Sequence, residues 1–367
     1  MPANPKTIGL CISLFLASAL ITLTFRSANP NSPTTQWLSP RPHTAAASLL
    51  SQPPLHPHRV AFATFLAGNT ASTSTDEESA LNNDADDGYF IGARVLAYQL
   101  LHSPTAGTNS SIPFLVVCTL DVSQRKRDRL KADGATVIVI EKLDPAWVTA
   151  ADPRWRDVMS KLRLFQLVEY GKICFIDADT LVTAPLDGVF FDEATLTQPT
   201  GNTPDQILPD EAPLPRTYMF ATHSDLWGYD HAFPPPPSMD YLNCGFFVFT
   251  PSLPLFDYYI SLLSLPGRFD AGFPEQNLLN YAHRREGNMP WQPLWYGWNV
   301  NWPTARDWRG GARSFHAKYW DGDPSHDPVL KGIWREQRSE MEGFWRGRES
   351  GMVRQAGEWK ERVKMGG

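Results

Sequence analysis

Lys172-Ile173-Cys174-Phe175-Ile176-Asp177-Ala178-Asp179-Thr180 is the stretch on which the fold turns. Lys172 to Ile176 reads as a buried strand, and two carboxylates follow it directly. In open α/β sheets ligands bind beyond the carboxyl ends of the strands, so Asp177 and Asp179 stand where a site is expected. Two Asp at i and i+2 of an extended chain point the same way. They repel each other unless a cation lies between them, and hard oxygen ligands suit Mn²⁺ or Mg²⁺. Such a cation neutralises a diphosphate leaving group as a Lewis acid. A solvated strand end is the bland alternative. An Asp-x-Asp pattern is weak by itself, and the apolar strand before it gives it weight.

Upstream, the pattern alternates strands with helices. Val60 to Leu66 is β-rich, and a Ser/Thr/Asp/Asn-rich loop spans Thr70 to Asp87. Gly88 to Leu101 carries helix-period apolar residues. Ile112 to Leu120 is a continuous apolar run of the kind buried on both faces of a parallel sheet. Ser123 to Ala132 is charged and helical, Asp133-Gly134 is a turn, and Thr136 to Ile140 is another strand. Trp155 to Tyr170 predicts a helix with Val158, Leu162, Phe165 and Val168 on one face. Repeated βαβ units predict an α/β fold: a Rossmann-like, mixed but mostly parallel sheet flanked by helices, in a single catalytic domain over residues 59–326.

Downstream the chain is less regular. Asp192 to Arg216 reads as an insertion loop, continued to Pro237 and expected to shape the side where a second substrate binds. Pro234 to Pro237 lies outside regular structure. A strand is predicted over Leu242 to Thr250, a short one over Tyr218 to Ala221, and helices over Leu253 to Leu265 and Gln276 to Arg284. Residues 327–367 alternate charge with Trp334, Met341, Phe344, Trp345 and Trp359, an amphipathic helical extension.

The N-terminal end predicts a membrane address. Ile8 to Phe25 is an uncharged run of 18 residues, just enough to cross a bilayer core as a helix. The expected layout is a cytoplasmic tail (1–7), a transmembrane signal anchor (8–25) and a Pro/Ser/Thr-rich stem (26–58) too poor in apolar residues to fold. That describes a single-pass type II protein of the Golgi or another secretory-pathway membrane, with its catalytic domain in the lumen. The competing reading is a signal peptide cleaved near Ala17-Ser18-Ala19, and secretion. Asn109-Ser110-Ser111 is a glycosylation sequon.

Composition narrows the function classes. A net charge of −6 with no basic block excludes a phosphate-backbone footprint, so no nucleic-acid partner is expected. Four Cys make no disulfide scaffold and no zinc or redox motif. Most of the 13 Trp lie after residue 225. Core packing accounts for a Trp at most positions, and a surface for stacking sugar rings is the functional alternative.

Two enzyme classes place paired Asp after an apolar strand. Haloacid-dehalogenase-type phosphohydrolases carry a Thr two places beyond the second Asp, in a motif that opens the domain. Here Thr180 follows Asp179 directly, after three earlier strands. The chain instead resembles glycosyltransferase family 8, the glycogenin-like and galactinol-synthase-like group, from about Ala61 to Trp320. Ala63-Thr64 with Gly68-Asn69 resembles the family's first strand and nucleotide-binding loop. Gly92-Ala93-Arg94-Val95-Leu96 resembles its first helix. The most specific pairing is Ser160-Lys161-Leu162-Arg163 with Asp177-Ala178-Asp179-Thr180. Leu242-Asn243-Cys244-Gly245-Phe246 resembles its Asn-Ser-Gly strand, and Pro274-Glu275-Gln276-Asn277 its Asp/Glu-Gln helix start.

The resemblance implies a GT-A type fold and a retaining hexosyltransferase with a UDP-sugar donor and a glycan, protein or polyol acceptor. It implies Asp177, Asp179 and His316 as ligands of Mn²⁺ or Mg²⁺. It implies Thr64, Asn69, Lys161, Asp177, Ala178, Asp179, Asn243, Gly245 and Lys318 around the donor. Gly245 is expected where a side chain would collide with that ligand. Glu275, Gln276 and Lys161 are implied at the reacting centre, Glu275 and the Gln276 amide oxygen stabilising oxocarbenium charge. The family's His-x-x-Gly…Lys-Pro-Trp is shortened here to His316-Ala317-Lys318-Tyr319-Trp320, which loosens the expected diphosphate clamp at Lys318. The other readings are a phosphohydrolase using Asp177 and Asp179, and a non-catalytic glycan-binding pseudoenzyme.

Overall fold

A computed structural model describes residues 60–68, 87–235 and 240–365, with side chains to residue 351. The tail, anchor and stem (1–7, 8–25 and 26–58), Asn69, most of the loop after it, Pro236, Pro237 and the Trp359 side chain lie outside the described residues. Among the described residues no helix is long and apolar enough to cross a membrane.

Twelve strands are described: β1 Val60–Leu66, β2 Phe114–Thr119, β3 Thr136–Ile140, β4 Lys172–Ile176, β5 Thr180–Val182, β6 Gln198–Pro199, β7 Thr217–Tyr218, β8 Phe220–Ser224, β9 Leu242–Phe249, β10 Gln292–Pro293, β11 Val300–Asn301 and β12 Ser314–His316. The α-helices are α1 Gly88–Leu101, α2 Gln124–Ala132, α3 Leu253–Leu263, α4 Pro274–Ala282, α5 Ala305–Arg309 and α6 Pro328–Met365. The main sheet has the order β10-β8-β9-β4-β1-β2-β3. Its β1–β2, β2–β3, β1–β4 and β8–β10 pairs are parallel, and β9 runs antiparallel to β4 and β8. This is the mixed, mostly parallel sheet flanked by helices that the sequence predicts for a GT-A type fold.

Strand periodicity decides what each face buries. In β1, Val60, Phe62 and Leu66 join Phe90, Leu96 and Leu100 of α1 in one apolar cluster. Ala61, Ala63 and Phe65 face the other way, into a cluster with Leu162, Phe165, Tyr259 and Leu278. Both faces are covered, which is why the strand is apolar at every position but Thr64 rather than alternating. A third cluster joins Ile91, Val95 and Tyr98 of α1 to Leu330, Trp334, Met341 and Trp345 of α6. The buried Gln99 amide accepts from the Val182 N–H (3.1 Å) and donates nothing to solvent, since its nitrogen meets Gln337 at 2.5 Å. The C-terminal residues thus form one helix that completes the core beside α1 and β5.

Three local expectations need correction. Residues 155–170 are not an α-helix: 3₁₀ turns run over Pro153–Trp155 and Val158–Gln166, and Val168 is 54% exposed. A three-residue winding stacks i on i+3, so Lys161 rises above Val158 and both face one cleft. Asp177 to Asp179 is a turn between β4 and β5 rather than extended chain, so the carboxylates do not meet by strand alternation. Among the described residues, none of 192–216 lines that cleft, although Asp225, further along the same expected insertion, does. Glu211 accepts from the Tyr258 hydroxyl of α3 at 3.0 Å and from Arg268 at 2.5 Å, and Asn288 holds Thr203 at 2.8 Å.

Candidate active site

The carboxyl ends of β1 and β4 and the amino end of the antiparallel β9 open on a cleft lined, among others, by Lys161, Asp177, Ala178, Asp179, Asn243, Gly245, Glu275, Gln276, His316 and Lys318. The second sheet builds one wall. β12 pairs antiparallel with β5, setting His316 opposite Thr180, and the Ala317 N–H donates to the Asp179 carbonyl at 3.0 Å. A histidine 137 positions further along, by the numbering, is thereby carried to the Asp-Ala-Asp turn. Its Nε2 lies 3.0 Å from Asp179 Oδ1 and 3.8 Å from Asp177 Oδ2.

Those three side chains fit a divalent cation. One ligand atom from each of Asp177, Asp179 and His316 lies within 4.8 Å of the others. Neighbouring ligands of an octahedral ion at about 2.1 Å stand roughly 3 Å apart. Two carboxylate oxygens and an imidazole nitrogen make a donor set for Mn²⁺ or Mg²⁺. Burial acts to raise the Asp179 pKa, but His316 and Lys318 outweigh it and hold the carboxyl well below the usual range. Burial likewise disfavours the His316 imidazolium, and Asp179 overcomes it, raising that pKa. A cation bound by these groups would compete with a proton on this pair.

Gly245 has a steric reason within the protein itself. A Cβ there would lie 2.0 Å from His316 Cε1 and 2.2 Å from Nδ1. The glycine makes room for the histidine ring and also lines the cleft, while its carbonyl accepts the Asp177 N–H at 2.8 Å. Gly92 on α1 plays the matching part behind the turn, where a Cβ would come within 2.4 Å of the Ala178 carbonyl oxygen.

Beside the triad, Lys161 Nζ sits 2.9 Å from Asp177 Oδ1 and 3.5 Å from Glu275 Oε2. Burial works to lower the Lys161 pKa; Asp177 and Glu275 reverse it and keep the ammonium charged. Burial pushes Glu275 up to about 7, against the pull of Lys161 and with the push of Asp177. Its Oε1 is buried without a hydrogen-bond partner. The pKa raised from 4.5 means that the folded state keeps a proton that the unfolded chain has released between pH 4.5 and 7. Stability from this group is therefore lost as pH rises through that window and is level above it. In metal-free protein, Glu275→Gln is expected to match the native chain near pH 4.5 and exceed it at pH 8 by up to about 3 kcal/mol. Urea unfolding at both pH values measures this, and an equal difference at the two would refute it.

Other expected residues stand as follows. The Gln276 amide oxygen accepts the Cys244 N–H at 3.0 Å, so it is already engaged in positioning β9. Asn243 spends both ends of its amide inside the protein: Oδ1 accepts from the Gly245 N–H (2.9 Å) and Nδ2 donates to Asp225 Oδ2 (3.0 Å). Lys318 lines the cleft with its ammonium 6.0 Å from the Tyr89 ring centroid. Thr64 is not brought to the site. It shares the α1-facing parity of Phe62 and Leu66 and is fully buried, while Phe65 and Ala67 reach the cleft. Asn69 is outside the described residues.

Several lining residues escaped the sequence reading: Tyr89, Arg154, Trp155, Phe273 and Asp225. Asp225 is the most informative. It is 8% exposed, yet no apolar strand runs directly into a paired carboxylate there. Its one sequence signal is its place just after the short strand that precedes the Asn243 strand.

No family model matches the chain. An uncharacterised protein of Schizosaccharomyces pombe is 29% identical to it, over 71% of this chain and 76% of its own length. Human glycogenin-1 is 29% identical over 53% of this chain and 45% of glycogenin-1. Galactinol synthase 1 of Solanum lycopersicum is 26% identical over 65% of this chain and 64% of its own. Among solved structures, mouse xyloside xylosyltransferase 1 aligns over 71% of this chain and 97% of that one, at 12% identity and a TM-score of 0.41. Glycogenin-1 and galactinol synthase are homologues of this chain, which is thus related to the glycosyltransferase family 8 group that its motifs resemble.

Proposed function

We propose that this chain is a metal-dependent, retaining hexosyltransferase that takes a UDP-sugar donor and passes the sugar to a hydroxyl of a glycan, protein or polyol. One observation carries the reading. Asp177, Asp179 and His316 each bring one ligand atom within 4.8 Å of the others, in the same cleft as the buried Lys161–Glu275 pair. A cation held by that triad supplies charge neutralisation for a diphosphate leaving group. Lys161 adds a fixed positive charge on the same side, preorganised by two carboxylates. Glu275 lines the cleft and its buried Oε1 has no hydrogen-bond partner; we assign its carboxyl to a donor-sugar hydroxyl and to the positive charge developing at the anomeric carbon. In a front-face reaction the acceptor oxygen bonds to that carbon on the side from which UDP departs. The acceptor proton passes to the leaving phosphate oxygen, so no protein base is required.

The test is UDP release from a panel of UDP-sugars with Mn²⁺, with and without EDTA. Turnover of at least one donor, abolished by EDTA, is expected. Turnover indifferent to EDTA across the panel, or phosphate release from simple phosphoesters without a sugar nucleotide, would sink the proposal.

We place this catalytic unit (59–326) behind the 8–25 anchor and the 26–58 stem, in the lumen of the Golgi or a related compartment. Asn109 in its sequon is exposed, which makes it a reporter of orientation. Expressed in eukaryotic cells, the full chain is expected to show a glycosidase-sensitive mass shift that disappears in Asn109→Gln. A native chain with no shift would contradict lumenal placement.

A further inference from the structure

Tryptophan faces are costly to leave in water, so exposed ones next to a cleft ask for a ligand. Trp227 is 52% exposed and Trp302 39% exposed. They come from different parts of the chain, one after β8 and one after β11, yet one carboxylate organises both. Asp225 Oδ1 accepts from the Trp227 backbone N–H (3.1 Å), the Trp302 indole Nε1–H (3.1 Å) and Asn301 Nδ2 (2.8 Å). Its Oδ2 accepts from Asn243, and Asp225 itself lines the donor cleft. The Trp302 indole is therefore one hydrogen bond away from a wall of that cleft.

The two rings are also held by aromatic neighbours. Trp227 packs on Tyr241 with centroids 5.2 Å apart, and Trp302 meets Tyr229 edge-on at 5.2 Å. Both tryptophans adopt left-handed backbone, φ 58° and 54°, a conformation that costs a bulky residue energy and persists where surroundings enforce it. The outcome is a pair of partly exposed indoles, tied to Asp225 through the Trp227 backbone N–H and the Trp302 indole N–H. Such faces offer no hydrogen-bond readout. They match a ligand that is flat, carries polarised C–H groups on one side and has hydroxyls directed elsewhere, which describes a pyranose ring.

We propose that Trp227 and Trp302 form the acceptor subsite, and that the acceptor is a pyranoside whose ring stacks on them while its attacking hydroxyl reaches into the cleft. This rests on the transferase reading above and narrows its acceptor to a carbohydrate. Asp225 is then a positioning residue shared by the two substrate sides: through Asn243 it supports the Gly245 strand, and through Trp302 it sets the platform.

Saturation-transfer NMR with methyl α- and β-pyranosides, lactose, myo-inositol and an octyl glucoside probes this without requiring turnover. In the native chain, saturation is expected on the C–H protons of one pyranose face. Trp227→Ala keeps the backbone N–H that bonds Asp225, and is expected to weaken sugar binding about tenfold or more. Trp227→Phe, which restores a π-face, is expected to recover most of it. Calorimetric titration of UDP with Mn²⁺ on each protein reads the donor side separately. Absence of UDP binding in the native chain, with pyranoside stacking intact, would refute the transferase reading and leave the platform standing. Saturation confined to the octyl chain would overturn the carbohydrate assignment in favour of a lipid-linked acceptor. Equal sugar binding in native and Trp227→Ala proteins, or joint loss of UDP and sugar binding in that variant, would overturn the platform itself.

Discussion

Asp179→Asn is expected to lower kcat/KM for any accepted UDP-sugar by about a thousandfold or more, roughly 4 kcal/mol of transition-state stabilisation. The reason lies in what the carboxylate does in its turn. It is 6% exposed, stands 3.0 Å from His316 Nε2, and is one of two anionic ligands available to the cation site. Asparagine keeps the shape and the acceptor oxygen but removes the charge. Cation affinity is expected to fall about a hundredfold, since both the direct ligand and its hold on His316 are weakened. Titration of Mn²⁺ by electron paramagnetic resonance measures the binding, and UDP release at saturating Mn²⁺ measures the catalysis. The backbone contact that carries the turn, the Ala317 N–H to the Asp179 carbonyl, is untouched by the substitution, so circular dichroism should remain native. Retained Mn²⁺ affinity with turnover within about tenfold of native would remove Asp179 from the metal site.

Gly245→Ala should disable the same site without touching a ligand. The added methyl would stand 2.0 Å from His316 Cε1, far inside van der Waals contact, and neither partner has an easy retreat. β9 is hydrogen-bonded on both sides, to β4 and β8, and β12 is held between β11 and β5. The imidazole is the softer element, so it must swing away from Asp179. A displacement of about 1 Å at a catalytic group costs around a hundredfold in rate, and a loss of that order in both turnover and Mn²⁺ affinity is expected. A double-mutant cycle gives the decisive comparison. In a His316→Ala background the clash is gone, and Gly245→Ala should add little further loss. Additive losses in the double variant would falsify the steric argument.

The strand-and-turn content of the first half was legible because its signals are local. The apolar runs at Val60–Leu66, Phe114–Thr119 and Lys172–Ile176 are buried on both faces, and continuous hydrophobicity of that length has few other uses. Asp177, Asp179, Lys161, Glu275 and His316 were likewise picked out before any geometry, through the order of family motifs along the chain. What failed was periodicity over residues 155–170. Apolar residues at mixed spacings of three and four fit an α-helix on paper, and the packing against β2, α3 and α4 selected 3₁₀ turns instead. Thr64 failed for a related reason. A strand neighbour of cleft residues points to the opposite face, and parity alone does not say which face holds the site.

By itself, then, the sequence determined the α/β class, the place of the paired carboxylates at the end of β4, and the identity of the residues gathered there. The first two follow from short-range pattern: which positions are apolar, where they stop, and what stands at the stop; the third follows from the resemblance of the motifs, taken in order, to a known family. Only the tertiary structure decided how His316 is carried to Asp179, that a side chain at Gly245 would strike the histidine ring, and that Asp225 joins the cleft to two tryptophans. Each of these depends on pairing between strands far apart in the chain: β12 on β5, β9 between β4 and β8, and β11 on β12. Such pairing is set by summed burial over the whole core, and no single stretch of residues encodes it.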